Sequence, residues 1–542
     1  MGAKVTVTTI YVFRPVKLFY CVWTLFSVCD VQVLAQTAPA TQIGSSTKVQ
    51  FDRGKQLLEQ RKFAEAAAQF KETLKSVPNS PLLYNLLGFC ELQLSHVDDA
   101  VTYFKKALEL KPDFKAARNN LGGIYLMQGR TQQAIGQFSA IIQTDPNDAQ
   151  AYSNLARAEL AQKNQEDALD HLRKAHDLSP QDVQIALALA RLCLEMGRQD
   201  LGRPVAQGLS GAKTPDASKE LEIGGLLLSY KLDEAAHVRF RNALQANPRF
   251  QDTLFALAKD LFEKQNYRAA VPLLEILNIK MQQSAAWHEM LGYSAFKLGD
   301  SAKAVVELQK AMDLDPRNEN YILELSEVLV SSNNAAEAVT LLGTVSKAFS
   351  HSSRIWFGLG TAYLANQQRA LAELALKKSL DLDPSLDLAY VVLGQGYKEG
   401  GNWDQLSETA ERLIQLNPEN PDGYYYKALA LQSGSGSKAE DEVKIEKLLR
   451  KSLELDSKNA EPHYELAKLL MRAGNKESSL LELQELVQTN PDFGPAYYHL
   501  ARLYREKGDL DKSKEAQEVH ERIRQKERDK VMKRMIVEIR QR

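Results

Sequence analysis

The chain has 542 residues and sets 68 Lys and Arg against 69 Asp and Glu, for a formal net charge of -1. No dense basic stripe stands ready to neutralise a phosphate backbone, which argues against nucleic acid as a partner. Four cysteines in so long a chain exclude a scaffold built on disulfides.

The amino terminus reads as an export signal. Arg14 and Lys17 precede the apolar run Leu18 to Val28, and Val33-Leu34-Ala35 offers a small-residue cleavage site before Gln36. The run is too short to span a bilayer. The expected order is a signal peptide over 1–35, cleaved after Ala35, then a disordered leader over 36–46 rich in Thr, Ala, Ser and Gln. The competing readings are an uncleaved anchor and a lipid attached at Cys29; the bulky Phe26 upstream argues against the lipid.

From residue 47 onward proline recurs on a 34-residue period, at Pro78, Pro112, Pro146, Pro180, Pro248, Pro316, Pro384 and Pro418. A fixed period means that each unit is one small element that buries its apolar face only by stacking on its neighbours. With the proline counted as position 32, the segment 81–114 carries Tyr84, Leu87, Gly88, Ala100, Phe104 and Ala107, and 115–148 carries Leu121, Gly122, Tyr125, Ala134 and Phe138. Segment 353–386 repeats the pattern with Trp356, Leu359, Gly360, Tyr363 and Ala372. Positions 4, 7, 8 and 11 share one helical spacing and positions 20, 24 and 27 another, so each unit is two helices, with small residues at 8 and 20 where they cross. Proline turns its predecessor away from helical geometry and closes the second helix.

These residues resemble the tetratricopeptide repeat (TPR). The resemblance implies an all-α superhelical solenoid, with units starting at 47, 81, 115, 149, 183, 217, 251, 285, 319, 353, 387, 421, 460 and 494 and an array over 47–527. Units 183–216 and 319–352 lack the proline, and the first of them is loosened by Gly202, Pro204, Gly208 and Gly211. The unit from 421 is five residues longer, and Ser433 to Ser437 has the composition of a tolerant turn or a hinge. A charged helix runs on to the end, its final part 528–542 carrying Met532, Met535, Ile536 and Ile539 on one stripe. That stripe is expected either to lie on the last repeat as a cap or to touch a partner or membrane surface. Cys90 and Cys193, three repeats apart, are expected to be buried packing residues rather than a bridged pair.

No catalytic constellation emerges. His288-Glu289 begins a zinc-protease helix but has Gly292 where the second His belongs, and His171 and His176 are five apart, off a shared face. Gly208 to Thr214 lacks the contiguous Gly-Lys-Thr of a phosphate loop. Neither enzyme activity, metal nor cofactor is expected.

In proteins of the resembled family the first helices line a concave groove through positions 2, 5, 9 and 12. Carried over, the resemblance points to Phe357, Gln395, Tyr425, Tyr464, Lys468, Tyr498 and Arg502, with Asn85, Asn119, Asn120 and Asn154 as an amide-lined stretch nearer the amino terminus. Rings and cations suit an extended peptide or an inserted helix, and amides suit extended backbone. The competing reading makes the position-5 rings packing residues. The expected function is a non-catalytic scaffold that binds protein or peptide partners in a bacterial envelope. The alternatives are an accessory of polysaccharide or polymer export and an enzyme with an unrecognised site.

Overall fold

A computed structural model of the protein describes residues 45–214, 216–277, 283–434 and 439–541. The expected signal peptide and most of the leader lie outside the described residues, as does most of the Ser433 to Ser437 stretch. Among the described residues there are 28 α-helices, a short 3-10 turn at Pro248–Phe250, and no strand. They fall into two units, divided between Gln282 and Gln283.

The first unit holds seven helix pairs, from Ser45–Glu59 with Phe63–Ser76 to Gln251–Glu263 with Tyr267–Ile276. The second holds seven more, from Ala285–Lys297 with Ser301–Leu314 to Gly494–Lys507 with Leu510–Gln541. The fourteen pairs and the long charged helix at the end agree with the solenoid expected from the period.

Within a pair, the crossing is set by one small and one large residue. A methyl group added to Gly88 would lie 2.8 Å from the Phe104 ring, and one on Gly224 would lie 2.6 Å from Phe240. Position 8 is therefore small so that the position-24 side chain can cover the bare backbone. At position 20, Ala100, Ala134, Ala168, Ala304 and Ala372 are all sealed from solvent.

The turn between the two helices has a feature that residue types conceal. Position 15 takes a left-handed backbone in both units, through seven non-glycine residues, among them Arg61, Ser95, Lys163 and Asn333, and six glycines. The left-handed residue lets the next amide reach back: His96 N–H donates to Glu91 O at 2.8 Å and Arg130 N–H to Tyr125 O at 2.8 Å. Orphan carbonyls at the helix end are thereby satisfied. At the far end of several repeats, the Asp or Asn before proline accepts a backbone amide two residues on, as Asp145 does from Asn147 at 3.2 Å and Asn417 from Glu419 at 3.2 Å.

Repeat 183–216 has Thr214 in place of proline at position 32, and a contact from the next repeat holds its end. Its second helix, Gln199–Leu209, ends early, and Arg239 from the next repeat donates through Nη2 to the carbonyls of Leu209, Ser210 and Ala212 at 2.6, 2.9 and 2.6 Å. Nη1 of the same guanidinium lies 3.0 Å from both carboxylate oxygens of Glu220. Gly202, read from sequence as a loosening residue, is a buried packing position against Tyr230 and Cys193.

Glu220 and Arg239 occupy positions 4 and 23 of their repeat, and other repeats fill the same two places differently. Tyr84 faces Tyr103 with centroids 6.3 Å apart, Tyr152 stacks on His171 at 5.9 Å, and Arg118 donates to Gln137 at 3.1 Å. In the second unit His288 meets Glu307 at 2.6 Å and His463 meets Glu482 at 2.9 Å.

Candidate functional site

The sequence-selected residues all lie on first helices, and a single register links them. Position 6 of one repeat meets position 5 of the repeat before it. Asn120 donates to Asn85 at 3.2 Å, Asn154 to Asn119 at 2.6 Å, and at the other end the Tyr464 hydroxyl pairs with His499 Nε2 at 3.1 Å. The asparagines are thus partly spent on one another. Asn85, Asn120 and Asn154 are buried and Asn119 half-buried. Asn85 Nδ2 is the amide left without a partner.

The aromatic positions divide by exposure. Tyr498 is 58% exposed, with its ring 5.3 Å from His499 and 6.0 Å from His520. Tyr464 is half-buried, stands edge-on to Phe493 at 5.3 Å and carries Lys468 Nζ 5.3 Å above its ring. Phe357 is half-buried against the core around Leu376 and Tyr397. Gln395 donates to Glu399 at 2.8 Å. Tyr425, by contrast, is 5% exposed, so its ring is a packing surface in this arrangement. It lies beneath Lys398 and beside Glu461, which hold positions 12 and 2 of their repeats, two of the four groove positions.

Charges on this face are held in short pairs. Lys468 reaches both oxygens of Glu465 at 2.9 Å, and Arg502 Nε lies 3.0 Å from Glu506. His499 is held below the usual histidine range by burial and then by the neighbouring Arg502 and Lys468, which keeps the imidazole neutral. The patch around Tyr464 and Tyr498 is therefore aromatic and hydrogen-bonding, with cations at its edge.

Two clusters bring metal-ligand types together: Glu91, His96 and Asp99 in the first unit, and His463, Glu482 and Glu485 in the second. His463 places Nδ1 against Glu482 at 2.9 Å and Nε2 against Ser457 O at 3.1 Å. Both ring nitrogens face acceptors, the arrangement of an imidazolium rather than of a ligand. Glu91 pairs with Lys71 at 3.0 Å and with His96 at 2.8 Å. Cys90 and Cys193 are free and buried, and burial pushes the Cys90 thiol up to about 12. No described helix is long and apolar enough to cross a membrane. In the terminal stripe Met532 is exposed, and the side chains of Met535, Ile536 and Ile539 lie outside the described residues.

Repeating helix pairs with one crossing geometry define a helical-repeat solenoid. Tetratricopeptide-repeat profiles match residues 51–113, 91–159, 255–319, 295–359, 353–386 and 464–525. The chain belongs to the tetratricopeptide repeat family. It is 20% identical over 318 residues to anaphase-promoting complex subunit 3 of Schizosaccharomyces pombe, a match covering 52% of this chain and 48% of that protein. The chain thus spans about half the length of that relative. It is 24% identical over 308 residues to the TPR repeat-containing protein YpiA of Bacillus subtilis, covering 54% of this chain and 68% of YpiA. Among solved structures it is similar to yeast Tom70, at 21% identity and a TM-score of 0.34, covering 84% of this chain and 96% of the other.

Proposed function

We propose that this protein is a non-catalytic scaffold that holds peptide or helical segments of protein partners on the face formed by its first helices, and that it works in a bacterial cell envelope after export and cleavage behind Ala35. The observation that carries the reading is the patch around Tyr498. A large ring is held 58% exposed beside a neutral, half-buried His499, with Arg502 at the rim. Exposed rings beside cations are what interfaces use as anchors, because a ring buries much area at little entropic cost. The partner segment lies along the patch, its apolar side chains on Tyr464 and Tyr498 and its polar backbone on His499.

The experiment is site-specific photo-crosslinking in intact cells. A photoreactive phenylalanine at 498 should give a discrete adduct whose partner is identified by mass spectrometry, and the same probe at Leu481, an exposed second-helix position, should not. Equal adducts at both sites, or none at 498, would reject the first-helix face. Export is tested separately by sequencing the amino terminus of protein from an envelope fraction, which should begin at Gln36. Full-length cytoplasmic protein starting at Met1 would reject export.

A further inference from the structure

We propose that the ion pair between Lys398 and Glu461 is a latch that keeps Tyr425 shut inside the stack, and that a basic side chain of a protein partner opens it by taking the place of Lys398. The inference rests on the reading of the first-helix face as a binding face. It accounts for why Tyr425 is closed where Tyr498, at the same repeat position, is open.

Lys398 lies near the end of the helix Asp387–Gly400 and Glu461 at the start of Ala460–Arg472, with Pro421–Gly434 between them. Lys398 Nζ reaches Glu461 Oε2 at 2.7 Å across 63 residues of sequence. One contact therefore joins first helices that are two repeats apart, where the other first-helix links described above join neighbours. The ammonium also stands 5.3 Å from the centre of the Tyr425 ring, the place a ligand cation takes over an aromatic face. Burial and then the charge of Glu461 raise the Tyr425 hydroxyl, so ring, carboxylate and ammonium act on one another as one group.

The surroundings of Lys398 are short of positive charge. Asp422, Asp456 and Glu461 converge there, and burial followed by the charges of Glu461 and Asp456 raises the Asp422 carboxyl while Lys398 opposes the shift. Glu399 and Glu465 also act on the Tyr426 and Tyr425 hydroxyls. A partner's acidic group meets this cluster of carboxylates and is repelled. A partner's ammonium or guanidinium finds Glu461, Asp422 and a ring face already arranged for it. The exchange of one cation for another leaves every carboxylate compensated, and the carboxylate is open to it, with Glu461 50% exposed although Lys398 is only 17% exposed.

The test uses the full chain and two labelled ten-residue peptides, one alternating Lys and Ala and one alternating Glu and Ala, in fluorescence anisotropy at low salt. Wild type should bind the lysine peptide and not the glutamate peptide. Lys398→Met removes the internal competitor and should tighten the lysine peptide about fivefold, and Glu461→Gln should weaken it about fivefold, the effect of one partly exposed charge pair. Lys398→Arg keeps the latch and should match wild type. Nitration of Tyr425 by tetranitromethane should be slow in wild type and faster in Lys398→Met. A lysine peptide that binds none of these proteins, a preference for the glutamate peptide, or Lys398→Met and Glu461→Gln moving binding in the same direction would overturn the latch. Latch variants of opposite sign together with no crosslink at 498 would instead sink the wider binding-face reading alone.

Discussion

Replacing Arg239 by Met should loosen one region of the first unit far more than its single position suggests. The guanidinium side chain is 4% exposed and the Glu220 side chain 6%. It spends Nη1 on both carboxylate oxygens and Nη2 on three carbonyls at the end of Gln199–Leu209. Met fills most of the volume but supplies no donor. Glu220 would then keep only Asn242 Nδ2 at 3.4 Å. Stranding one member of a buried pair costs about 3–5 kcal/mol, the buried Leu209 carbonyl adds ~1–3 kcal/mol if left unsatisfied, and the part-buried Ser210 and Ala212 carbonyls add less. In a linear array that loss is local, because each repeat contacts only its neighbours. The assay is therefore hydrogen exchange of peptides covering 199–246, which should speed up by about a hundredfold or more. Glu220→Leu added to Arg239→Met should recover part of the loss, since an apolar pair replaces a buried ionic one at little cost. A change below about 1 kcal/mol in the single variant, or strict additivity in the double, would refute the argument.

Gly224→Ala sets a methyl group 2.6 Å from Phe240 and should cost about 1–3 kcal/mol by urea unfolding, with Phe240→Leu as partial rescue. Burial alone would lower the pKa of His463, but Glu482 and the Ser457 carbonyl carry it above its ordinary 6.5. Its stabilisation is therefore full below about pH 6.5 and fades as pH rises through the raised value, which hydrogen exchange of Ala460–Arg472 at pH 6 and pH 8.5 should show and His463→Phe should flatten. Glu324 is pushed up to about 8 by burial and then by Glu289 and Glu327, and its Oε2 has no partner. Since the folded chain holds this proton more tightly than the unfolded one, stability falls between pH 4.5 and 8, and Glu324→Gln should raise the melting temperature at pH 9 more than at pH 5. Thiol labelling of Cys90 should follow global unfolding, and rapid labelling of native protein would contradict its burial.

What the sequence made legible is what the period enforces. Proline at position 32 and small residues at 8 and 20 are demands of backbone geometry and helix crossing, and they disclose fourteen helix pairs without any tertiary information. The left-handed turn at position 15 escaped notice because seven non-glycine residues serve there: the modest cost of that backbone is outweighed by the carbonyls it satisfies. Repeat 183–216 looked weak because its closing proline is missing, and nothing local reveals that Arg239, 30 residues beyond Leu209, does the closing instead. On the first-helix face, position 5 predicts a ring but not its exposure. Tyr498 is open and Tyr425 shut, and the difference lies in a contact 63 residues long between Lys398 and Glu461. Short-range patterns carry the scaffold, whereas the state of a site depends on partners that only stacking brings together.

The changing occupants of positions 4 and 23 bear on how such a chain avoids assembling out of order. Near-identical hairpins invite a shifted pairing, in which the first helix of one takes the second helix of another, within a molecule or between two. Such a swap would set Glu220 against Tyr103 or His288 against Arg239, burying a charge with no counterpart. Hairpins that differ at these two places thus reject one another's mates, while the two that share a His–Glu pair, around His288 and His463, are not told apart by it.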